Sequence, residues 1–283
     1  MMIKQAFEKL LDEKIEKIEK IEKKTNIYCR NYFKIHTSSN KIFFAKEITK
    51  DSFFDNNRIM NNYYITKAFE EKGIKLSCEI EINGKILHVI GNKTYVLQPY
   101  IQGKHLSYKE LTKTHLKKLA ELISNIHHNN PYDKYNNFHL DITNEIYKNS
   151  KNIILCHRDI HLPNLLWDGQ DFTLIDFETC GVITKQGSLV LMISKIFHND
   201  KSMNNLKYFL SCYKKSAYEQ ASINFFDGMY TEICREFTGF ISKHDIWGLS
   251  NNKNLSIYKS DILKRHQFLI NTIEEIDKSY HIG

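Results

Sequence analysis

The chain has 283 residues, of which 42% are hydrophobic and 26% charged, a balance that suits a soluble globular protein with one large domain or two lobes. Its net charge is +7, but the lysines are scattered rather than clustered with aromatics, so no nucleic-acid partner is expected. The opening MMIKQAFEKLLDEK has no signal-like apolar core, and the longest apolar run, SLVLMISKIF, is too short and too charged to cross a bilayer, so the expectation is a cytoplasmic protein without a membrane span.

Residues 3–14 read as a short helix, with Ile3, Phe7, Leu10 and Leu11 on one face. In KIEKIEKIEKK (14–24) isoleucine recurs every third residue, a spacing that fits neither helix nor strand alone and leaves both open. NYFKIHT and KIFFAKE flank the turn Ser38-Ser39-Asn40 as a hairpin. Residues 58–73 read as a helix ended by Gly73. CEIEI (78–82) and KILHVI (85–90) read as a second hairpin across Asn83-Gly84. TYVLQPYIQG (94–103) is a strand that stops at Pro99 and Gly103.

Beyond Gly103 the pattern turns helical. Residues 108–130 form one amphipathic period, and apolar residues recur at helical spacing from 188 to the end. The expected class is therefore α+β, with a small β-rich lobe, a hinge near 99–103 and a larger, mainly helical lobe. The six cysteines lie far apart with no CxxC pair, so neither a zinc site nor a redox motif is expected, and the thiols are expected to be reduced.

One segment interrupts the helical half. LCHRDIHLPNLLWDGQDFTLIDFETCG (155–181) sets charged residues among strand-forming apolar ones, and buried polar groups need partners or a task. IILC reads as a buried strand, HRDIHLPN as a loop, and LLW with FTLIDF as strands paired around Asp168-Gly169. The pattern His157-Arg158-Asp159, then Asn164, then Asp176 at a strand end, is the arrangement of a kinase catalytic loop and its metal-binding aspartate. Phosphoryl transfer accounts for each residue type. Asp159 would take the proton of an acceptor hydroxyl. Asn164 and Asp176 would hold Mg²⁺, a hard cation that prefers oxygen ligands.

HRDIHLPNLLW followed by LIDFE resembles the aminoglycoside phosphotransferase and choline kinase-like family of small-molecule kinases, whose signature is HxDxxxxN and then an I-D-x-E strand end. Protein kinases carry D-F-G and A-P-E instead; here Asp176-Phe177-Glu178 stands in place of the first, and the second is missing from the chain. The resemblance covers about two-thirds of the chain, including NYFKIHTSSNKIFFAKE, YVLQPYIQG and LAELISNIH. It implies a bilobal protein kinase-like fold, with residues 1–100 as a nucleotide-binding lobe and 101–283 as a catalytic and acceptor-binding lobe. It also implies ATP or GTP with Mg²⁺ as cofactors. Lys46 then corresponds to the ATP-binding lysine, and the Pro99 carbonyl and Ile101 N–H to the adenine contacts. Proline lacks an N–H but keeps its carbonyl, so Pro99 falls where only an acceptor is needed. His157 is implied as a loop brace. His161 is expected either near the γ-phosphate or packed beside the base, and Glu178 near the metal without binding it.

Three departures from the family pattern stand out. Asn62 takes the place of the helix glutamate that pairs with the lysine, with Glu70 or Asp55 as substitutes. The phosphate-facing loop, residues 22–31, has no glycine and offers Thr25, Asn26 or Asn31 as donors. Ser188-Leu189 replaces an aspartate that often follows the metal strand.

The acceptor is expected to be a hydroxyl of a small molecule such as an aminoglycoside, choline, thiamine, homoserine or a sugar. Asp227, Glu232 and Glu236, with Trp247 and neighbouring aromatics, suit a cation through charge and cation–π contacts; the competing reading is an ordinary helix with a core face and a solvated face. The alternatives to a small-molecule kinase are a kinase acting on protein or lipopolysaccharide, and a nucleotide-binding regulator without turnover. The sequence leaves the oligomeric state open.

Overall fold

A computed structural model describes residues 3–21, 31–48, 56–132, 152–177, 180–198, 203–216, 223–243 and 253–282. The chain divides into two units, one of residues 1–67 and 77–102, the other of residues 68–76 and 103–283.

The first unit is built on a five-stranded antiparallel sheet of β1 (Ile15–Ile21), β2 (Tyr32–Thr37), β3 (Ile42–Ile48), β4 (His88–Ile90) and β5 (Lys93–Pro99), in the order β1-β2-β3-β5-β4. Helix α1 (Ile3–Leu11) packs on one face. Its Phe7 is fully buried with Ile15, Ile35, Ala45, Tyr95 and Leu97, and its ring meets Tyr95 edge-on at 5.5 Å.

The isoleucine run is a strand, and a β-bulge explains the first of its three-residue intervals. Ile15 pairs with Thr37 and Lys17 with His36, so Glu16 is the extra residue. An extra residue turns a three-residue interval back onto the same face. Ile15 and Ile18 therefore both pack towards α1. Glu16, Lys17 and Lys20 stay exposed, and such charges discourage further pairing at a sheet edge.

Helix α2 (Asn56–Glu71) is longer at its start than expected and ends at Gly73, whose φ is +76°. The Ile74 N–H donates to the Phe69 carbonyl at 3.1 Å and the Gly73 N–H to Glu70 at 2.8 Å, as in a glycine C-cap. Ile59 and Tyr63 of α2 pack with Ile48, Ile86 and Val96.

The second expected hairpin is corrected in part. Its turn forms: Asn83 and Gly84 have φ of +52° and +71°, and Ile82 and Lys85 exchange backbone bonds of 2.8 and 3.1 Å. Residues 78–82 form no regular strand beyond it; the Ile80 N–H donates to Leu97 at 2.7 Å. β4 pairs instead with β5, Ile90 against Lys93, across the two residues Gly91-Asn92. Gly91 has φ +63°, and that tight turn joins adjacent strands more directly than pairing back to residues 78–82 does.

In the second unit the expected single helix over 108–130 is a short 3₁₀ turn, Tyr108–Glu110, followed by α3 (Lys113–His128). Thr112 is extended (φ −97°, ψ 170°) and its hydroxyl accepts the His115 N–H at 3.4 Å. An N-cap there starts a new helix. β6 (Ile153–Cys156) pairs antiparallel with β9 (Gly181–Thr184), and β7 (Leu165–Trp167) with β8 (Phe172–Leu174). β9 runs straight into α4 (Lys185–Phe197), capped by the Thr184 hydroxyl, which accepts the Gly187 N–H at 3.0 Å. α5 (Met203–Ser216), α6 (Phe225–Lys243) and α7 (Lys253–Ile282) complete the described helices.

A buried polar cluster ties α3, α4, α5 and β6 together. His127 meets the Tyr213 hydroxyl at 2.8 Å and the Ser188 hydroxyl at 3.1 Å, and Ser188 lies 3.0 Å from the Cys156 sulfur. Burial pushes His127 down to about 3, so it is neutral at ordinary pH. Ser188, which the resemblance sets where an aspartate is expected, is thus part of the core of this chain.

Candidate active site

The loop between β6 and β7 is organised around His157, which is fully buried. Its Nδ1 accepts the Asp159 N–H at 3.2 Å, and its Nε2 lies 2.8 Å from the Ile175 carbonyl. An acceptor at Nδ1 leaves Nε2 as the protonated nitrogen that donates. Burial lowers the pKa of His157. The ring thus braces two segments at once: the loop carrying Asp159 and the strand end before Asp176.

The backbone is bent where the polar residues stand. Arg158 and Asp176 have φ of +54° and +67°, a region that non-glycine residues seldom adopt. Outliers of this kind cluster at functional sites. Arg158 is 7% exposed, and its guanidinium lies against Gly181, where an added Cβ would meet Cζ at 2.5 Å. Gly181 pairs with Cys156 across β6 and β9, so a bare backbone there makes room for the arginine.

Asp159 projects from this loop with 33% of its side chain exposed. The Lys195 ammonium of α4 donates to Asp159 Oδ1. On the other oxygen, Asn164 Nδ2 donates at 3.3 Å and His161 Nε2 lies at 3.6 Å. Burial alone pushes the Asp159 carboxyl up; the Lys195 ammonium and then His161 outweigh it and hold it well below the usual carboxylate range. The Asp159 carboxylate is thus ionised and already paired.

Asn164 is 8% exposed and also donates Nδ2 to the Asp159 carbonyl at 2.9 Å. Its own carbonyl accepts the Ile175 N–H at 3.0 Å, which sets Asn164 beside the strand end that carries Asp176. With the amide NH₂ group engaged by Asp159, the Asn164 side-chain oxygen is left as the group able to bind a cation. One carboxylate and one amide oxygen fit a hard cation such as Mg²⁺, which takes its remaining ligands from phosphates and water. Among the described residues there is no cluster of three or more His, Cys, Asp or Glu able to hold a metal by itself.

In the first unit, Lys46 is 7% exposed on β3, opposite Tyr32 and Val96. Strand alternation puts it on the same face as Ile48, the face on which Ile59 and Tyr63 of α2 pack. Asn62 lies on that helix, 5% exposed, and its Oδ1 has no hydrogen-bond partner among the described residues. Of its expected substitutes, Glu70 is exposed and Asp55 lies outside the described residues. Pro99 ends β5 opposite Phe43, and the Tyr100 N–H donates to Ile42 at 2.9 Å. Of the loop over 22–31 expected to face phosphate, only Asn31 is described, and its Nδ2 donates to Glu47 at 2.5 Å.

The remaining expected residues stand elsewhere. Asp227 is exposed at the start of α6 and accepts from Gln186 at 3.1 Å. Glu232 is 2% exposed, and its Oε1 lies where a Cβ on Gly187 would sit 2.8 Å away. A carboxylate buried against α4 is not offered to a ligand from solvent. Glu178, Trp247 and the Glu236 side chain lie outside the described residues. Lys195 was not foreseen. The available signal was one lysine inside the otherwise apolar run SLVLMISKIF, since a charge in such a run needs a partner.

Residues 139–184 match the APH family model, described as the phosphotransferase enzyme family. No curated protein matches. Among solved structures, an amicoumacin kinase in complex with AMP-PNP, Ca²⁺ and its ligand is similar at 11% identity and TM-score 0.69, covering 96% of this chain and 94% of that one. A spectinomycin phosphotransferase with ADP and spectinomycin is similar at 16% identity and TM-score 0.59, covering 98% of each chain. Choline kinase LicA from Streptococcus pneumoniae is similar at 16% identity and TM-score 0.61, covering 100% of this chain and 98% of that one. At such identities the likeness establishes the fold. Fold and matched segment agree with the resemblance carried by HRDIHLPN and LIDFE. No described helix is long and apolar enough to cross a membrane.

Proposed function

We propose, from the premise that residues 139–184 match the phosphotransferase enzyme family model, that this chain transfers the γ-phosphoryl group of a nucleoside triphosphate to a hydroxyl of a small molecule. The observation that carries the reading is the bracing of Asp159 and of the strand end before Asp176 by one buried histidine. Asn164 sits between them. Three roles of phosphoryl transfer thus stand on one rigid constellation.

Asp159 accepts the acceptor's hydroxyl proton and points the oxygen at phosphorus. The new O–P bond forms as the bond to the bridging oxygen of the departing diphosphate breaks. Asn164 and Asp176 would hold Mg²⁺, which neutralises phosphate charge when bound. In the first unit Lys46 is assigned to the nucleotide phosphates, and the Pro99 carbonyl and Ile101 N–H to the base. ATP is the proposed donor, with GTP as the alternative. Two similar structures hold adenine nucleotides or an analogue, which supports nucleotide use here.

The test is ADP release from Mg·ATP over a panel of hydroxyl acceptors, with Asp159→Asn alongside. Acceptor-dependent ADP that falls at least a hundredfold in the variant supports transfer through Asp159. Unchanged release in Asp159→Asn would sink that role. A second reading, a nucleotide-binding regulator without turnover, is favoured by Asn62 at the glutamate position. Nucleotide-dependent stabilisation without ADP formation under any acceptor would support it instead.

A further inference from the structure

We infer that Lys195 puts a fixed positive charge on the acceptor side of Asp159, and that the acceptor is a hydroxyl compound that is neutral or negatively charged near its reacting oxygen. The inference rests on the phosphotransferase reading and deepens it by naming the charge class of the acceptor. Polycations such as aminoglycosides, and quaternary amines such as choline, are the classes it excludes.

The two oxygens of Asp159 have different neighbours. Oδ2 faces Asn164, the residue assigned to the metal, and His161. Oδ1 takes the Lys195 ammonium. The lysine therefore occupies the edge of the carboxylate turned away from Asn164, the edge we assign to the incoming hydroxyl. A carboxylate oxygen has lone pairs for two donors. Two donors on one oxygen stand about 4–5 Å apart. At that separation a second cation on the acceptor is repelled and an anion is attracted.

The ammonium is held in place. Lys195 leaves the last turn of α4, and its side chain is 18% exposed. Its own carbonyl accepts the Tyr108 hydroxyl at 2.9 Å, which ties that turn of α4 to the 3₁₀ turn before α3. The described acids that would serve a cation are otherwise engaged. Asp227 is bonded to Gln186, and Glu232 is buried against Gly187. Asp227 stays exposed with a neutral amide as its partner, but the Lys195 ammonium is the charge bonded directly to an Asp159 oxygen.

The experiment measures binding and turnover by the full chain for three pairs of probes. These are kanamycin and choline (cationic), glycerol and ribose (neutral), and glycerate and glycerol 3-phosphate (anionic). Calorimetry with Mg·ADP present gives Kd, and ADP release from Mg·ATP gives kcat/KM. The variants are Lys195→Glu, Lys195→Gln and Lys195→Arg, each checked for folding by its melting curve. The expected result is at least a tenfold preference for an anionic or neutral probe over both cations. Lys195→Arg keeps the preference, Lys195→Gln weakens it through KM more than kcat, and Lys195→Glu inverts it. If Lys195→Glu fails to fold, Lys195→Gln carries the test. Equal or tighter binding of the cations overturns the proposal, as does binding by no probe, or a ranking that the variants leave unchanged. Charge-ranked binding with no ADP from any probe would remove the transfer reading and leave the charge assignment standing.

Discussion

The Nδ1 of His157 accepts the backbone proton of Asp159 at 3.2 Å, while Nε2 reaches the Ile175 carbonyl at 2.8 Å. One neutral ring therefore sets the spacing between Asp159 and the strand end that bears Asp176. His157→Ala removes both bonds and leaves a cavity where a fully buried side chain stood. Loss of a buried hydrogen-bond partner costs about 1–3 kcal/mol. The expected outcome is a lower melting temperature and a kcat reduced more than the KM for ATP. Equal kcat in a folded variant would show that the brace does not position the base.

His127 makes stability depend on pH. Its pKa is pushed down to about 3 by burial, against about 6.5 in an unfolded chain. Between these values the unfolded state binds a proton that the folded state does not, so stability rises with pH across the window and is lost as pH falls below about 6.5. From pH 7 to pH 5 the loss amounts to about 2 kcal/mol. His157 is shifted in the same direction and adds to it. Melting temperatures of the wild type and His127→Gln at pH 7 and pH 5 test this. The wild type is expected to lose more between the two, and parallel losses would count against His127 as a source.

The same contrast shows which features can be read without coordinates. Local chemistry was legible: Gly73 ends α2 with φ +76°, and Asn83-Gly84 makes the turn its dipeptide predicts. Partner choice was less so. The sequence pairs KILHVI with CEIEI across Asn83-Gly84, whereas His88–Ile90 pairs with the strand after Gly91. Likewise IILC reads as a strand, but its partner, Gly181–Thr184, lies beyond the whole loop that carries Asp159 and the β7–β8 hairpin. The isoleucine triplet was ambiguous because a bulge resets the face between Ile15 and Ile18, while Ile21 follows in regular register. At the site, Asp159, Asn164 and Asp176 share a short segment with a recognisable spacing. Lys195 meets Asp159 from 36 residues away and belongs to no local motif.

Gly181 is expected to be intolerant of any side chain. A Cβ there would meet the Arg158 guanidinium at 2.5 Å, and the arginine is buried with its backbone in the left-handed region. Gly181→Ala must therefore move the arginine or the β6–β9 ladder. Overpacking of this kind costs about 1–3 kcal/mol. The expected signature is a lower melting temperature with reduced kcat, since Arg158 adjoins Asp159 in the loop. Arg158→Ala combined with Gly181→Ala relieves the clash, so the double variant is expected to lose less than the sum of the singles. Strict additivity in the double-mutant cycle would count against the contact.

Asn62 offers a test of what replaced the expected glutamate. Its Oδ1 is buried without a hydrogen-bond partner among the described residues, and α2 packs on the sheet face that bears Lys46. A buried acceptor left unsatisfied costs about 1–3 kcal/mol. Asn62→Leu keeps similar volume and removes the polar atom. Without nucleotide, its melting temperature is expected to equal or exceed that of the wild type. With Mg·ATP, the ligand-dependent rise in melting temperature is expected to shrink, as it should more strongly in Lys46→Met. A fluorescent nucleotide titration gives the same comparison as Kd, with at least a tenfold loss expected for Lys46→Met. If Asn62→Leu binds nucleotide as tightly as the wild type, the amide is a relic of the fold and Lys46 acts without it. If both variants weaken binding and the double variant is no worse than Lys46→Met, the two residues act as one unit in holding the nucleotide.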